Sequence, residues 1–183
     1  MDAKERVRGI IAVFNELYPE AACSLEYKDP LQLLIATQLS AQCTDARVNI
    51  VTKSLFVKYK TADDFARADL SELEEDIRST GFYRNKARNI IQCCRMIIEK
   101  FHGRVPDNLE DMLKLPGVGR KTANLVLGDI FGIPGIVVDT HVLRLSNRIG
   151  LTTADDPIKV EFDLMKVVPK ENWSKFCHQM VLH

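Results

Sequence analysis

Apolar residues recur at intervals of three and four along nearly the whole chain, the spacing of helix faces packed on a core. Val7, Ile10, Ile11, Phe14 and Leu17 form the first such face. "DPLQLLIATQLSA" opens with Asp29 as a cap and Pro30 at the first helical position, then becomes almost wholly apolar, which predicts a central buried helix. Val48, Val51, Leu55 and Tyr59 mark the next face. "SELEEDIRS" offers a capping box, Ser71 with Glu74, for a short helix. Ile90, Cys94, Ile97 and Phe101 line a longer one ended by Gly103, after which Asp107 opens a short helix over 108–114.

Beyond a glycine-containing break, residues 120–131 form another apolar helix. Asp139 precedes Val142, Leu145 and Ile149, and Gly150 closes that segment. Asp156 and Pro157 start a further helix, and Trp173, Phe176, Cys177, Met180 and Val181 line the last. The strand-like run "GIVV", 135–138, is too short to build a sheet. The pattern predicts an all-α protein of about nine to eleven helices. Repeats, low-complexity tracts and long linkers are absent, and "FGIPG" at 131–135 is the candidate boundary between two domains. The last apolar helix reaches His183 without a cap, which reads as a chain cut short.

Composition narrows this picture only slightly. A chain of 183 residues with 46% hydrophobic and 27% charged side chains is long enough for a real core. Lysine plus arginine and aspartate plus glutamate number 25 each, so a nucleic-acid partner would have to be met by local patches. Five cysteines, with Cys93 and Cys94 adjacent and no metal-type spacing, read as reduced thiols of a cytoplasmic protein. Neither a signal peptide nor a run of roughly 18 apolar residues, as a membrane span needs, is present.

Candidate chemistry begins at "LPGVGRKTANLVL", 115–127. Gly117 and Gly119 allow positive φ and leave backbone open to a ligand, and the helix that follows presents unpaired N–H groups. That combination is either a plain turn between helices or a cradle for a phosphate oxygen. Lys121 lies in the first turn of the new helix, where the helix-end field and partial burial favour the neutral amine that a Schiff-base nucleophile needs. Read alone, it is also an ordinary exposed lysine beside a phosphate. Asp139 in "VVDTHVLR" is a good N-cap, and a capping carboxylate facing a pocket can also take a proton or stabilise a cationic sugar.

"LPGVGRKTANLVLGDIFGIPGIVVDTHVLRLSNRIGL" closely resembles the helix-hairpin-helix–Gly/Pro–Asp superfamily of DNA glycosylases, and within it the endonuclease III family. "LLIATQLSAQCTDARVN", 33–49, and "STGFYRNKARNII", 79–91, resemble two further signature stretches of that family, so the similarity runs from about residue 5 to the end. The resemblance implies a base excision repair enzyme that removes oxidised pyrimidines from duplex DNA and then cuts the strand at the abasic site. It implies Lys121 as the nucleophile at C1′ and Asp139 as the group that activates the lysine or stabilises the sugar cation. It further implies Gln42 as the filler of the space left by a flipped nucleotide, and Phe82 as the apolar wedge where the family more often has leucine. Without the resemblance, Gln42 reads as a polar helix-end residue and Phe82 as a core aromatic.

Backbone contacts to DNA are expected around Leu115, Gly117, Val118, Gly119 and Arg120, with Arg84 beside the wedge. Lys86, Arg88, Arg144 and Arg148 are expected to extend a basic face, with Asp45 a candidate for the lesion pocket and His141 for support of the site. The resemblance implies two all-α lobes with a DNA-binding cleft: residues 22–133, carrying the hairpin motif at about 108–131, and residues 1–21 with 134–183. Endonuclease III usually continues into a four-cysteine loop holding a [4Fe–4S] cluster; none of these five cysteines has suitable spacing, so no cofactor is expected within this chain. The expected partner is double-stranded DNA with a damaged base or abasic site, bound by a monomer associated with the nucleoid. A mismatch or adenine glycosylase is the nearest rival, disfavoured where such enzymes lack the hairpin lysine. A thymine-mismatch enzyme with a lysine is harder to separate. A non-catalytic DNA-binding module is the rival from another class.

Overall fold

The computed structural model describes residues 2–183. The described residues form eleven α-helices and two short 3-10 turns, with no strand. The helices are α1 (Ala3–Leu17), α2 (Pro30–Leu39), α3 (Asp45–Lys58), α4 (Ala62–Ala66), α5 (Leu70–Asp76), α6 (Tyr83–Phe101), α7 (Leu109–Met112), α8 (Arg120–Phe131), α9 (Thr140–Arg148), α10 (Pro157–Val167) and α11 (Trp173–Leu182). Two compact units divide the chain: Met1–Cys23 with Leu127–His183, and Ser24–Val126. The division falls inside α8.

The Ser24–Val126 unit is built around α2. Asp29 caps it through the Gln32 amide at 2.9 Å, Pro30 supplies the first turn, and every residue from Leu33 to Leu39 is buried. A helix so largely apolar belongs inside a bundle, and α2 meets α3 and α6. Val48, Val51, Leu55 and Tyr59 are buried as their spacing predicts, as are Ile90, Cys94 and Ile97 of α6. The end of α6 is a left-handed His102 followed by Gly103, whose amide reaches back to the Ile97 carbonyl at 3.0 Å.

Two helix starts differ from the sequence expectation. Asp69, not Ser71, caps α5, accepting from the Glu72 amide at 3.0 Å; Ser71 lies in the first turn and donates its hydroxyl to the Asp69 carboxylate. Asn108, not Asp107, caps α7, accepting from the Asp111 amide at 2.9 Å. In both cases two capping residues stand close together, and the register is set by which helix face must be buried: Leu73 on α5 and Met112 on α7.

The other unit packs Val7, Phe14, Ile136, Val138, Val142, Val160, Leu164, Phe176 and Met180 into one core. Leu17 and Val181, expected on buried faces, are exposed at the edges of their apolar stripes. The "GIVV" segment is an extended link with Ile136 and Val138 buried, and the Val137 amide donates to Cys177 Sγ at 3.2 Å. Arg6 Nη1 donates to the Ile149 and Gly150 carbonyls at 2.9 and 3.1 Å, joining α1 to the end of α9.

All five thiols are free, and three are buried. Burial pushes Cys93 and Cys177 up to about 12 and Cys94 higher still. The unfolded chain ionises these thiols near 9, so their contribution to stability is intact below that pH and is lost as pH rises toward 12. Urea unfolding at increasing pH is expected to show this alkaline loss, and replacing Cys93, Cys94 and Cys177 by alanine is expected to flatten its slope whatever the variant's absolute stability.

Candidate nucleic-acid interface and active site

The hairpin joins α7 to α8 through residues 113–119. Leu115 and Val118 are buried, only 2% and 8% exposed, and so pack the turn in place. The Val118 amide is committed to the Leu115 carbonyl at 3.1 Å. By contrast, neither the Gly117 nor the Gly119 amide donates to an acceptor among the described residues, and both glycines are exposed. These unpaired donors immediately precede the N-terminus of α8, which is the arrangement that holds a phosphate oxygen.

The two glycines serve different purposes. Gly117 has φ +75°, and a Cβ there would stand 2.9 Å from Asn89 Cβ and 3.0 Å from Gln38 Oε1. Glycine therefore lets the turn sit directly on α6 and on the end of α2. Gly119 lies outside the positive-φ region and a Cβ there would meet nothing within 4 Å, so the positive φ expected at both holds only at Gly117.

Lys121 is the second residue of α8 and is exposed, not partly buried as expected. The buried run that anchors this helix, Ala123–Leu127, begins two residues later, leaving the first turn outside the core. Arg120 before it is half-buried. Asp139 belongs to the other unit and caps α9, its Oδ1 accepting from the Val142 amide at 2.8 Å. The buried side chains of Ile136, Val138 and Val142 fix its position. A carboxylate has more acceptor capacity than one cap uses, so capping leaves Asp139 available for chemistry.

Within the Ser24–Val126 unit, Gln42, Phe82 and Gly117 line one depression of about 260 Å³, together with Gln38, Asn85 and Asn89. Gln42 and Phe82 share an unusual backbone: φ is +53° at one and +48° at the other. Non-glycine residues pay roughly 1–2 kcal/mol for that conformation. Phe82 is 64% exposed, so it is not a core aromatic, and Gln42 is exposed as well. Strain and exposure together on a phenylalanine favour a binding role over a packing one. Arg84 and Arg78 flank Tyr83, their guanidinium carbons 5.6 and 6.0 Å from its ring centre. Arg84 and Arg88 are exposed and line a second depression beside Phe82.

Lys86, expected on this basic face, is buried instead. Its Nζ donates to the Leu39 and Thr80 carbonyls, each at 2.8 Å, and burial pushes its pKa below the ordinary lysine value. Surface charge and interior clamp look identical in sequence because both are one lysine on a helix. Asp45, the first residue of α3, accepts from the Ser24 hydroxyl and is tied to the start of its unit. His141 is exposed on α9, its Nδ1 3.3 Å from Arg144 Nη2, and Arg144 and Arg148 are exposed on the same helix.

The cysteines do not fit a metal cluster. Cys177 Sγ is engaged by the Val137 amide, Cys93 and Cys94 are buried in α6, and no set of three or more His, Cys, Asp or Glu side chains could hold a metal among the described residues.

Residues 35–170 match the HhH-GPD superfamily base excision DNA repair protein family. The chain is 55% identical over 181 residues to endonuclease III of Synechocystis sp., covering 98% of this chain and 83% of that protein. Against endonuclease III of Bacillus subtilis the identity is 50% over 168 residues, 91% of this chain and 77% of the relative. The chain belongs to the HhH-GPD superfamily and, within it, to the endonuclease III family. A solved structure of a trapped endonuclease III–DNA covalent intermediate with an estranged adenine matches at a TM-score of 0.95 with 51% identity, covering all of this chain and 86% of that one. A thermostable thymine-DNA glycosylase shares the fold, at a TM-score of 0.85 and 24% identity, across 98% of this chain and 87% of its own.

The hairpin geometry gives a direct contrast. Gly117→Ala is expected to lose about 1–3 kcal/mol of stability, from positive φ and the close approach to Asn89. Gly119→Ala is expected to unfold like the wild type, because its added methyl group meets open space. Thermal or urea unfolding of the two variants checks the difference.

Proposed function

We propose that this member of the endonuclease III family is a bifunctional glycosylase that removes oxidised pyrimidines from duplex DNA and cuts the strand at the resulting abasic site. The observation that carries the proposal is an exposed lysine, Lys121, directly beyond a turn whose Gly117 and Gly119 amides lack intramolecular acceptors. A backbone phosphate held by those amides would bring the adjoining sugar toward the Lys121 amine. The covalent DNA complex described for a protein 51% identical supports the same chemistry.

A damaged nucleotide must leave the base stack before its C1′ can be attacked. Phe82 wedges the opposite strand apart and Gln42 occupies the vacated space, where its carboxamide meets the orphaned base. Once it has given up a proton, the Lys121 amine forms a bond to C1′ as the bond to the base breaks, and the base leaves carrying the electron pair and takes up a proton. Opening of the sugar ring gives a protonated imine between Lys121 and C1′. Loss of the C2′ proton then expels the 3′ phosphate oxygen, which cuts the strand on the 3′ side. Water hydrolyses the imine and restores the lysine. Asp139 receives the proton that Lys121 loses or offsets positive charge on the sugar. The protein acts as a monomer on one nucleotide, in the nucleoid, and no step is assigned to a metal or an iron–sulfur cluster.

Borohydride reduction in the presence of abasic-site duplex is expected to give a covalent protein–DNA adduct that Lys121→Ala abolishes. Equal trapping by the two proteins would overturn the mechanism. Lys121→Gln is expected to keep its affinity for an abasic-site analogue, because the phosphate grip is mainly backbone. Asp139→Asn is expected to slow base excision by about 10²–10⁴-fold, read in single-turnover assays on duplexes containing an oxidised pyrimidine.

A further inference from the structure

Lys86 takes no part in the chemistry above, yet it is among the most constrained charged groups in its unit. Its side chain is only 6% exposed, no carboxylate pairs with it among the described residues, and its ammonium donates to two carbonyls. The acceptors come from different elements. Leu39 is the last residue of α2, where a carbonyl has no partner within the helix, and Thr80 ends the 3-10 turn over Arg78–Thr80.

The positions of those carbonyls suggest what the clamp is for. Gln42 follows closely after Leu39, and Phe82 follows closely after Thr80. Both occupy the left-handed region, and both line the same depression. Left-handed non-glycine residues persist only where surrounding structure holds them. Local support for the two is thin: Phe82 precedes α6 without a side-chain cap bond, and Gln42 sits in a turn closed by the Cys43 amide on the Ser40 carbonyl at 3.0 Å.

We infer that Lys86 is a positioning residue whose ammonium, by bridging the Leu39 and Thr80 carbonyls, fixes the spacing of Gln42 and Phe82 and so determines how well a damaged nucleotide is held out of the stack. The inference rests on the proposed roles of those two side chains. Lysine suits the task because three tetrahedral donors can reach carbonyls arriving from different directions, which the planar arginine fork cannot do as well. Methionine would fill the same space and leave both carbonyls without a donor.

Lys86→Met in the full chain tests this, with single-turnover excision from a thymine-glycol duplex and the fluorescence of a neighbouring 2-aminopurine, which reports unstacking. The excision rate is expected to fall on the order of 10²-fold, the scale of a misplacement of about 1 Å, with a parallel loss of the fluorescence rise. Binding to undamaged duplex is expected to stay as in the wild type. In a protein already carrying Gln42→Ala and Phe82→Ala, adding Lys86→Met is expected to cost nothing further, because the lysine acts through those residues. An undiminished further loss in that background would show a general structural role and overturn the inference, as would wild-type excision and unstacking by Lys86→Met. If Lys86→Met does not fold, Lys86→Gln, which retains an amide donor, enters the same cycle with an intermediate rate expected and the same outcomes overturning it. The wild type's own excision activity tests the proposed function separately, so failure of that reading is distinguishable from failure of this one.

Discussion

The burial of α2 from Leu33 to Leu39 is the constraint on which the Ser24–Val126 unit depends. Seven consecutive residues, Leu33 to Leu39, are buried, so this helix can neither rotate nor slide without exposing apolar surface. Fixed in this way, it serves as a reference for three separate devices. Gln38 near its end forms part of the seat for Gly117, the Leu39 carbonyl receives Lys86, and the chain leaving it turns through Gln42. An apolar core thus sets the position of the Gly117 turn, of the buried Lys86 ammonium and of the exposed Gln42.

The same division of labour appears at the proposed catalytic residues. Lys121 is exposed; its place comes from the buried Leu115 and Val118 on one side and Ala123 to Leu127 on the other. Asp139 is placed by Ile136, Val138 and Val142 in the core of the other unit. In each case buried neighbours hold the backbone, beside an exposed Lys121 and a half-buried Asp139. Fixing the backbone through its neighbours is what the proposed chemistry requires of preorganised groups.

Much of this organisation was legible in sequence, for identifiable reasons. The helical class followed from three- and four-residue apolar spacing, and the caps at Asp29, Asp139 and Asp156 stood directly before their helices. The caps at Asp69 and Asn108 did not emerge, because neighbouring residues were equally able to cap and only packing separates them. Phe82 shows the opposite difficulty. Nothing in the composition of "TGFYRNK" distinguishes a core aromatic from an exposed wedge, and the family resemblance supplied the reading that its 64% exposure now supports.

The sequence alone determined the local chemistry: which segments are helical, where a glycine turn meets a helix start, and that one lysine and one aspartate follow it. These depend on side-chain type and spacing within a few residues. Only the tertiary structure decided that Gly117 must be glycine while Gly119 need not be, that Lys86 is an interior clamp, and that Lys121 is exposed. Those facts depend on atoms brought together from distant parts of the chain: Asn89 beneath Gly117, and Leu39 beside Thr80. Helical periodicity records which face is apolar but not what lies against it, so the partner of each buried or strained group had to come from packing.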